Sequence, residues 1–171
     1  MSTYHGKNYK YDFSYEEIAG LIKQYVGAYA IEIERYFKII IFDYLFSNGD
    51  SHLKNFSLFR NEEYGDYLLT PFYDLLNTSI HVPGESDLAL DLFKDDFVTE
   101  AFKAGLKHTR SDFFEFAGRI GINEKRFDMI YNSMLDKTED MKELVNKSFL
   151  KEELKKEYVV SYNKKLGRLK K

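Results

Sequence analysis

The sequence predicts a mainly α-helical domain that contains one small β-hairpin. Apolar residues recur every three or four positions along much of the 171-residue chain, the spacing that places them on one face of a helix. Two short strand-like segments, residues 56–60 and 67–70, flank a polar turn, residues 61–66, in which Gly65 supplies the turn chemistry. No repeat or low-complexity linker divides the chain, so residues 1–171 are expected to form a single domain.

The first predicted helix begins with a capping box in the segment S-Y-E-E. The Ser14 hydroxyl can accept a hydrogen bond from the backbone amide of Glu17. Gly27 is expected to end this amphipathic helix. Its apolar side chains fall at helical spacing: Ile18, Leu21, Ile22, Tyr25 and Val26.

The second predicted helix covers residues 30–46 and is apolar on most of its sides, including at Ile31 and Ile33. A helix with this pattern is buried on most faces, so it is expected to form the centre of the core. Asn48 and Gly49 follow as a turn pair suited to a helix exit.

The pattern after the hairpin is mostly helical. Residues 88–93 are expected to form a brief extended piece. Ser111 and Asn123 are the predicted N-caps of two later helices. Helices are expected at four places: residues 96–106, 111–120, 124–147 and 151–169.

Composition narrows the class of protein. The net charge of −3 and the pI near 5.9 argue against a general nucleic-acid-binding surface, so no direct nucleic-acid contact is expected. The chain has no cysteine, which excludes disulfides and thiolate metal sites and fits a reducing cytosol. The N-terminus lacks the apolar segment of a secretory signal, and the most apolar stretch, residues 36–46, is too short to span a bilayer. We therefore expect a cytoplasmic protein with no membrane contact.

The most informative segment is residues 48–59, N-G-D-S-H-L-K-N-F-S-L-F. Asp50 and Asn55 are five positions apart, with His52 and Lys54 between them. A second isolated acid, Asp74, follows the hairpin in T-P-F-Y-D-L-L. Phosphoryl-transfer enzymes of the protein-kinase type use this order: an Asp that orients the attacking hydroxyl, an Asn for magnesium, and a further metal-binding Asp.

Each of these residue types suits the chemistry. Asp50 follows a glycine at a helix exit, where its carboxylate can reach an acceptor hydroxyl. Asn55 offers a neutral oxygen ligand for Mg²⁺, and Asp74 an anionic ligand between the metal and the phosphates of ATP. His52 and Lys54 are expected to support the loop or to offset charge on the transferring group. The hairpin returns the chain to its start, so the two acids and the asparagine are predicted to converge.

These motifs resemble the HipA family of serine/threonine kinases, the toxins of bacterial toxin–antitoxin modules. The resemblance extends from F-S-Y-E-E-I-A-G-L-I to the tail Y-N-K-K-L-G-R-L. It implies the helical C-terminal lobe of a protein-kinase-like fold, whose hairpin carries the catalytic and metal-binding loops. It also implies that Asp50 is the catalytic base, that Asn55 and Asp74 bind magnesium, and that His52 and Tyr73 line the nucleotide site. The implied partners are a helix-turn-helix antitoxin and a protein substrate.

The chain departs from this family in one respect. Family members carry an N-terminal lobe with a Gly-rich phosphate loop, a phosphate-binding lysine and the adenine hinge. Neither G-x-G-x-x-G nor G-x-x-x-x-G-K-[ST] occurs here, and the residues before Asp50 are too few for a five-stranded lobe. The chain is therefore expected to be inactive alone. The missing N-terminal lobe would come from the same polypeptide or from a separate one.

Two other classes of function remain open on the sequence. A non-catalytic interaction module that binds an antitoxin or another partner chain is favoured by the missing phosphate loop. A metal-dependent hydrolase using Asp50, His52 and Asp74 is the weaker alternative, because one histidine and two acids are a poor ligand set.

Residues outside the motif are expected to have structural roles. His5, His81 and His108 show no ligand spacing and are expected at the surface or in hydrogen bonds. Leu75 directly follows Asp74 where D-F-G kinases have a mobile aromatic residue. We expect Leu75 to pack inward as a permanent anchor of the metal-binding loop.

Overall fold

The computed structural model describes residues 9–63 and 65–171. Within them lie one antiparallel hairpin, with strands β1 (Leu58–Arg60) and β2 (Tyr67–Leu69), and two 3-10 helices, Tyr9–Tyr11 and Leu53–Asn55. The fold class predicted from the sequence, mainly helical with one small hairpin, is confirmed. The α-helices are α1 (Tyr15–Tyr25), α2 (Tyr29–Phe46), α3 (Glu100–Gly105), α4 (Arg110–Arg119), α5 (Glu124–Leu135), α6 (Thr138–Lys147) and α7 (Glu152–Leu169).

Helix α2 forms the centre of the core, as its apolar sequence predicts. Helices α1, α5 and α7 pack against it. Tyr36 and Phe37 are fully buried, and the Phe37 ring lies 5.8 Å from that of Phe127 on α5. Ile31, in the first turn, is 66% exposed, so the N-terminal end of α2 lies at the surface and the rest of the helix passes through the core. In the described part of the chain, no helix combines the length and the apolar character needed to cross a membrane.

Helix α1 is capped both locally and by a distant segment. Ser14 and Glu17 form the predicted capping box, with the Glu17 amide 3.2 Å from the Ser14 hydroxyl. The backbone amides of Tyr15 and Glu16 donate to the carbonyls of Asp91 and Leu92 at 2.9 and 3.0 Å. Residues 88–93 form no strand, so the expectation of a brief extended piece there is wrong. They follow an irregular path that buries their leucines and caps α1.

The hairpin is one to two residues shorter on each strand than predicted. Gly65 has φ 73°, a backbone conformation that glycine adopts without strain, and Tyr64 of the same turn lies outside the described residues. A parallel bridge between Val26 and Tyr67 joins the hairpin to the end of α1. The register pairs Leu58 with Leu69, Phe59 with Leu68 and Arg60 with Tyr67.

The single helix predicted over residues 124–147 is wrong. The chain forms two helices there, α5 and α6, with Asp136 and Lys137 in non-helical conformations between them. Helix α5 packs against α2 and α4, whereas α6 packs against α7. Because the two segments have different packing partners, the helix is interrupted between them although the apolar spacing continues.

One of the two predicted N-caps is also wrong. Ser111 lies inside α4, and Thr109 is the N-cap, with its amide 2.7 Å from the side chain of Asp112. Asn123 caps α5 as predicted and accepts a hydrogen bond from the Arg126 amide at 3.0 Å. Thr109 caps α4 because Asp112, three residues further on, completes a capping box with it.

Three cations around Asp87 join α7 to the segment before α3. The side-chain nitrogens of Lys107, Lys165 and Arg168 lie 3.3, 3.4 and 2.9 Å from its carboxylate. Burial acts to raise the pKa of Asp87, but these cations outweigh it and hold the pKa below its usual range.

Candidate active site

The Asp50 loop begins where α2 ends. Ser47 ends the helix in the left-handed region at φ 60°, one residue before the predicted turn pair Asn48 and Gly49. The Gly49 amide donates to the hydroxyl of Thr78 at 2.8 Å. The segment that follows the hairpin is therefore joined to the Asp50 loop.

A buried carboxylate, Asp43, holds this loop. It lies near the C-terminal end of α2 and is fully buried. Its carboxylate accepts hydrogen bonds from the Asn48 amide at 2.9 Å and from the Ser51 hydroxyl at 2.6 Å. Burial raises the pKa of Asp43 to about 7, although both hydrogen bonds act to lower it. In the sequence, Asp43 is noticeable only as a charge within an apolar segment.

Asn55 and Asp74 are in direct contact. Asn55 Nδ2 donates to Asp74 Oδ2 at 2.9 Å, and Asn55 Oδ1 accepts from the backbone N–H of His52 at 3.0 Å. The Asn48 side chain donates to the carbonyl oxygen of Asp74 at 3.2 Å. The hairpin thus brings together the two side chains that the sequence proposes as magnesium ligands.

The backbone of Asp74 lies in the left-handed region, at φ 59°. This conformation is uncommon for residues with a Cβ, although aspartate tolerates it better than most, and such outliers cluster at functional sites. The next residue, Leu75, is 39% exposed, so the expectation that it packs inward is wrong for this chain. The hydrogen bonds from Asn48 and Asn55, rather than a buried leucine, hold the Asp74 loop.

Asp50 presents a carboxylate that is 46% exposed. The Tyr11 hydroxyl donates to its Oδ1 at 2.6 Å, and the Lys10 ammonium lies 3.5 Å from the same oxygen. Partial burial acts to raise the pKa of Asp50. The Tyr11 hydrogen bond and the charges of Lys10 and His52 outweigh it and hold the pKa below its usual range. The carboxylate is therefore ionised at neutral pH, as a proton acceptor must be.

Lys10 and Tyr11 were missed by the sequence reasoning. They precede Asp50 by 40 and 39 positions, and spacing rules relate only residues within one helix or strand. The available signal was weak: a Y-K-Y triplet shortly before a capping box.

His52 lies next to both Asp50 and Tyr11. Its Nε2 is 3.9 Å from Asp50 Oδ1, and its ring meets that of Tyr11 edge-on at 5.5 Å. The side chain is buried, and its Nδ1 has no hydrogen-bond partner among the described residues. The structure therefore places the buried His52 side chain beside the Asp50 carboxylate.

Lys54 and Tyr73 are linked through the backbone. The Tyr73 hydroxyl donates to the Lys54 carbonyl at 2.7 Å, and the Lys54 ammonium lies 4.5 Å from the ring centroid of Tyr9. Within the described residues, Lys54 forms no ion pair with Asp50 or Asp74. Its charge is exposed at the edge of the loop.

The other histidines lie elsewhere. His81 is exposed, and His108 packs against Phe102 with ring centroids 4.7 Å apart, where burial lowers the pKa of His108. His5 lies outside the described residues. In residues 9–63 and 65–171, no three His, Asp or Glu side chains cluster as a metal site would require. The hydrolase alternative thus finds no support in that part of the chain.

The side-chain oxygens of Asn55 and Asp74 are of the type that a hard divalent cation prefers, and Asn55 Oδ1 keeps a second lone pair beside the one that accepts from the His52 N–H. Magnesium in nucleotide sites is held by one or two protein oxygen ligands, and phosphates and waters complete its shell. The Asp74 side chain is exposed, and its Oδ1 accepts no hydrogen bond from the described residues. The sequence contains no glycine-rich phosphate loop.

Four features together identify the class of domain: the buried helix α2, the Asp50 loop, the hairpin and Asp74. A family model described as "HipA-like C-terminal domain" matches residues 1–142 of the 171. The chain belongs to this family, and the resemblance inferred from its motifs is confirmed.

Two curated relatives have names that refer to kinase activity. A Haemophilus influenzae protein named "Putative kinase" is 28% identical over 145 residues, which are 80% of this chain and 42% of the relative. A Sinorhizobium fredii protein named "Putative kinase Y4dM" is 32% identical over 77 residues, 45% of this chain and 19% of that protein. The chain thus spans less than half the length of either relative.

A solved structure shows the same fold. It is the Shewanella oneidensis MR-1 toxin–antitoxin system HipA, HipB and its operator DNA complex, and the TM-score is 0.72 at 17% identity. The similarity covers 96% of this chain and 38% of that chain. The mainly helical HipA-like fold with a small two-stranded sheet is therefore confirmed.

Proposed function

We propose that this chain is the C-terminal lobe of a HipA-like serine/threonine protein kinase, which transfers the γ-phosphoryl group of ATP to a protein hydroxyl. The observation that carries the proposal is the 2.9 Å contact between Asn55 and Asp74, next to a loop that presents the ionised Asp50. Family membership and the names of the relatives support it.

In this reaction Asp50 orients the acceptor hydroxyl and receives its proton. The acceptor oxygen bonds to the γ-phosphorus, the bond from that phosphorus to the oxygen bridging the β-phosphate breaks, and ADP leaves. Asn55 and Asp74 would hold Mg²⁺, which offsets the negative charge of the phosphates when bound. His52 lies beside Asp50 and supports it through its charge. Lys54 supplies a cation at the rim of the loop.

The remaining parts of the nucleotide site would come from an N-terminal lobe, in the same polypeptide or in a separate one. That lobe would supply the phosphate loop, the phosphate-binding lysine and the adenine hinge. The length of the relatives supports this division. As the toxin of a toxin–antitoxin module, the completed protein would bind a helix-turn-helix antitoxin and phosphorylate a protein substrate. The HipA of the solved structure is in a complex with HipB.

A non-catalytic interaction module is the second candidate. It is favoured by apolar side chains exposed on and near the hairpin: Leu58, Phe59, Tyr67 and Leu76. An exposed apolar group of this kind is typical of a surface that another chain covers. An N-terminal lobe would cover the same surface, so catalysis separates the two candidates.

The test uses this chain joined to the N-terminal lobe of a HipA-family relative. Asp50→Asn removes the proton acceptor and keeps the size of the side chain, so we expect phosphoryl transfer to fall by about 100-fold or more, with nucleotide affinity nearly unchanged. Asp74→Asn removes an anionic metal ligand and should weaken both affinity and turnover. Radiolabelled phosphate transfer and calorimetry with Mg·ATP measure the two effects.

Asp96→Asn is the matched control. Asp96 is exposed and, like Asp74, has a left-handed backbone, at φ 53°. The same chemical change on the same backbone geometry should leave both measurements unchanged. If neither Asp50→Asn nor Asp74→Asn differs from this control, the kinase proposal is wrong and the interaction module is favoured.

A further inference from the structure

Three side chains approach one oxygen of the Asp50 carboxylate. The Tyr11 hydroxyl donates to Oδ1 at 2.6 Å, Lys10 Nζ lies 3.5 Å from Oδ1, and His52 Nε2 lies 3.9 Å from it. Of these, the tyrosine contact is the shortest, and it is a charge-assisted hydrogen bond, the stronger kind. Oδ1 is therefore the oxygen that the protein itself binds.

The second oxygen, Oδ2, is left open. Among the described residues none donates a hydrogen bond to it, and the Asp50 side chain is 46% exposed. A carboxylate that is held through one oxygen has a fixed plane, so the direction of its other oxygen is also fixed. An acceptor hydroxyl needs one such free, directed oxygen.

The tyrosine is itself held in place. It belongs to the 3-10 helix Tyr9–Tyr11, which packs against the 3-10 helix Leu53–Asn55 of the Asp50 loop. Its ring meets that of His52 edge-on, with an interplanar angle of 73°. These contacts hold Tyr11 against the loop, although 43% of the residue is exposed.

We propose that Tyr11 is a positioning residue of the phosphoryl-transfer site: its hydroxyl fixes Oδ1 of Asp50, so that Oδ2 is the oxygen presented to the acceptor hydroxyl. This role rests on the proposed kinase function. Lys10 reinforces it through charge, and His52 packs against the tyrosine ring. Tyr11 acts through Asp50 and makes no contact with the reacting atoms.

The opposite role for the same contact is occlusion. The Tyr11 hydroxyl would then occupy the place of a substrate hydroxyl and block the acceptor side. The two roles predict opposite changes in rate when the hydroxyl is removed. Positioning predicts a slower enzyme, and occlusion predicts a faster one.

The first experiment needs no kinase activity. In the 171-residue chain, the Asp50 carboxyl is titrated by carbon-13 NMR in the wild type, in Tyr11→Phe and in the control Tyr25→Phe. Tyr25 is an exposed tyrosine at the end of α1. We expect the pKa of Asp50 to rise in Tyr11→Phe and to stay constant in Tyr25→Phe, because only the first change removes a hydrogen bond to the carboxylate. An unchanged pKa in Tyr11→Phe would mean that the contact is absent in solution.

The second experiment uses the same variants in the chain joined to an N-terminal lobe. We expect Tyr11→Phe to lower kcat by about tenfold, the scale of one hydrogen bond to a charged group, with KM for Mg·ATP unchanged. The acid limb of its pH–rate profile should move to higher pH, which a purely structural role would not produce. A higher kcat/KM for the protein substrate would establish occlusion and overturn the proposal.

The two experiments separate two kinds of failure. If the wild type and Tyr11→Phe both fail to transfer phosphate, the kinase function is wrong, and the catalytic role of Tyr11 is wrong with it, whatever the titration shows. If the wild type is active and Tyr11→Phe equals it in kcat and in pH profile, only the positioning role is wrong.

Discussion

At the residue scale, Asp43 couples protonation to stability. Its carboxyl is fully buried and accepts hydrogen bonds from Asn48 and Ser51 of the Asp50 loop. Burial raises its pKa to about 7, above its ordinary value of 3.8. The folded protein therefore keeps the proton over a pH range in which the unfolded chain loses it. The free energy of unfolding should include a contribution that is complete below pH 4 and is lost as the pH rises to 7.

Asp43→Asn should remove this pH dependence. The amide has the shape of the carboxyl and carries no charge at any pH. The variant should therefore become more stable relative to the wild type as the pH rises from 5 to 8. The full pKa shift from 3.8 to about 7 corresponds to roughly 4 kcal/mol, of which about 3 kcal/mol falls between pH 5 and pH 8. Urea unfolding at four pH values in this range measures it.

The comparison must be made between variant and wild type because protonation of His108 also changes stability below its usual pKa of 6.5. Burial lowers the pKa of His108, so its contribution to stability is lost as the pH falls, opposite in direction to that of Asp43. His108 is present in both proteins and cancels in the difference. If the two proteins give parallel pH profiles, the buried carboxyl does not titrate as argued.

At the element scale, the start of α1 depends on one hydroxyl. The Ser14 hydroxyl accepts from the Glu17 amide, and Glu17 in return accepts from the Ser14 amide at 2.7 Å. Ser14→Ala should destabilise the protein by about 1 kcal/mol, because it leaves a helix amide without its partner. Thermal or urea unfolding monitored by circular dichroism measures the change.

Ser111→Ala is the matched control for this prediction. Ser111 is exposed inside α4 and caps no helix, so its hydroxyl contributes little, and alanine has the higher helix propensity. We expect no loss of stability. Equal losses for Ser14→Ala and Ser111→Ala would show that the capping box of α1 contributes no more than an ordinary helical serine.

At the scale of the whole molecule, the proposed function assigns only the metal ligands of the nucleotide site to this chain. Asn55 and Asp74 are in place, whereas the sequence lacks a phosphate loop. We expect the 171-residue chain to bind Mg·ATP with a dissociation constant of about 1 mM or weaker and to transfer no phosphate. An N-terminal lobe, fused or added in trans, should bring affinity to the micromolar range and restore transfer.

Calorimetry with Mg·ATP decides this prediction. Micromolar binding by residues 1–171 alone would contradict the division of the site between two lobes. Asp74→Asn in the isolated chain is the internal control, because it should abolish whatever weak binding is observed if that binding occurs at the metal site.

The sequence by itself determined the central helix, the hairpin and the identity of the motif residues. These features depend on local rules: the all-round apolar pattern of α2, the glycine of the turn, and the fixed spacing of Asp50, His52 and Asn55. Local rules also located the capping box of α1. They placed the N-cap of α4 at Ser111, whereas the structure has it at Thr109.

Only the tertiary structure decided what surrounds the motif. Tyr11 reaches Asp50 across 39 positions, and the carbonyls of Asp91 and Leu92 cap a helix that begins at Tyr15. The break between α5 and α6 follows from their different packing partners. Long-range contacts of this kind depend on how the elements pack in three dimensions, and residue spacing along the chain contains no record of them.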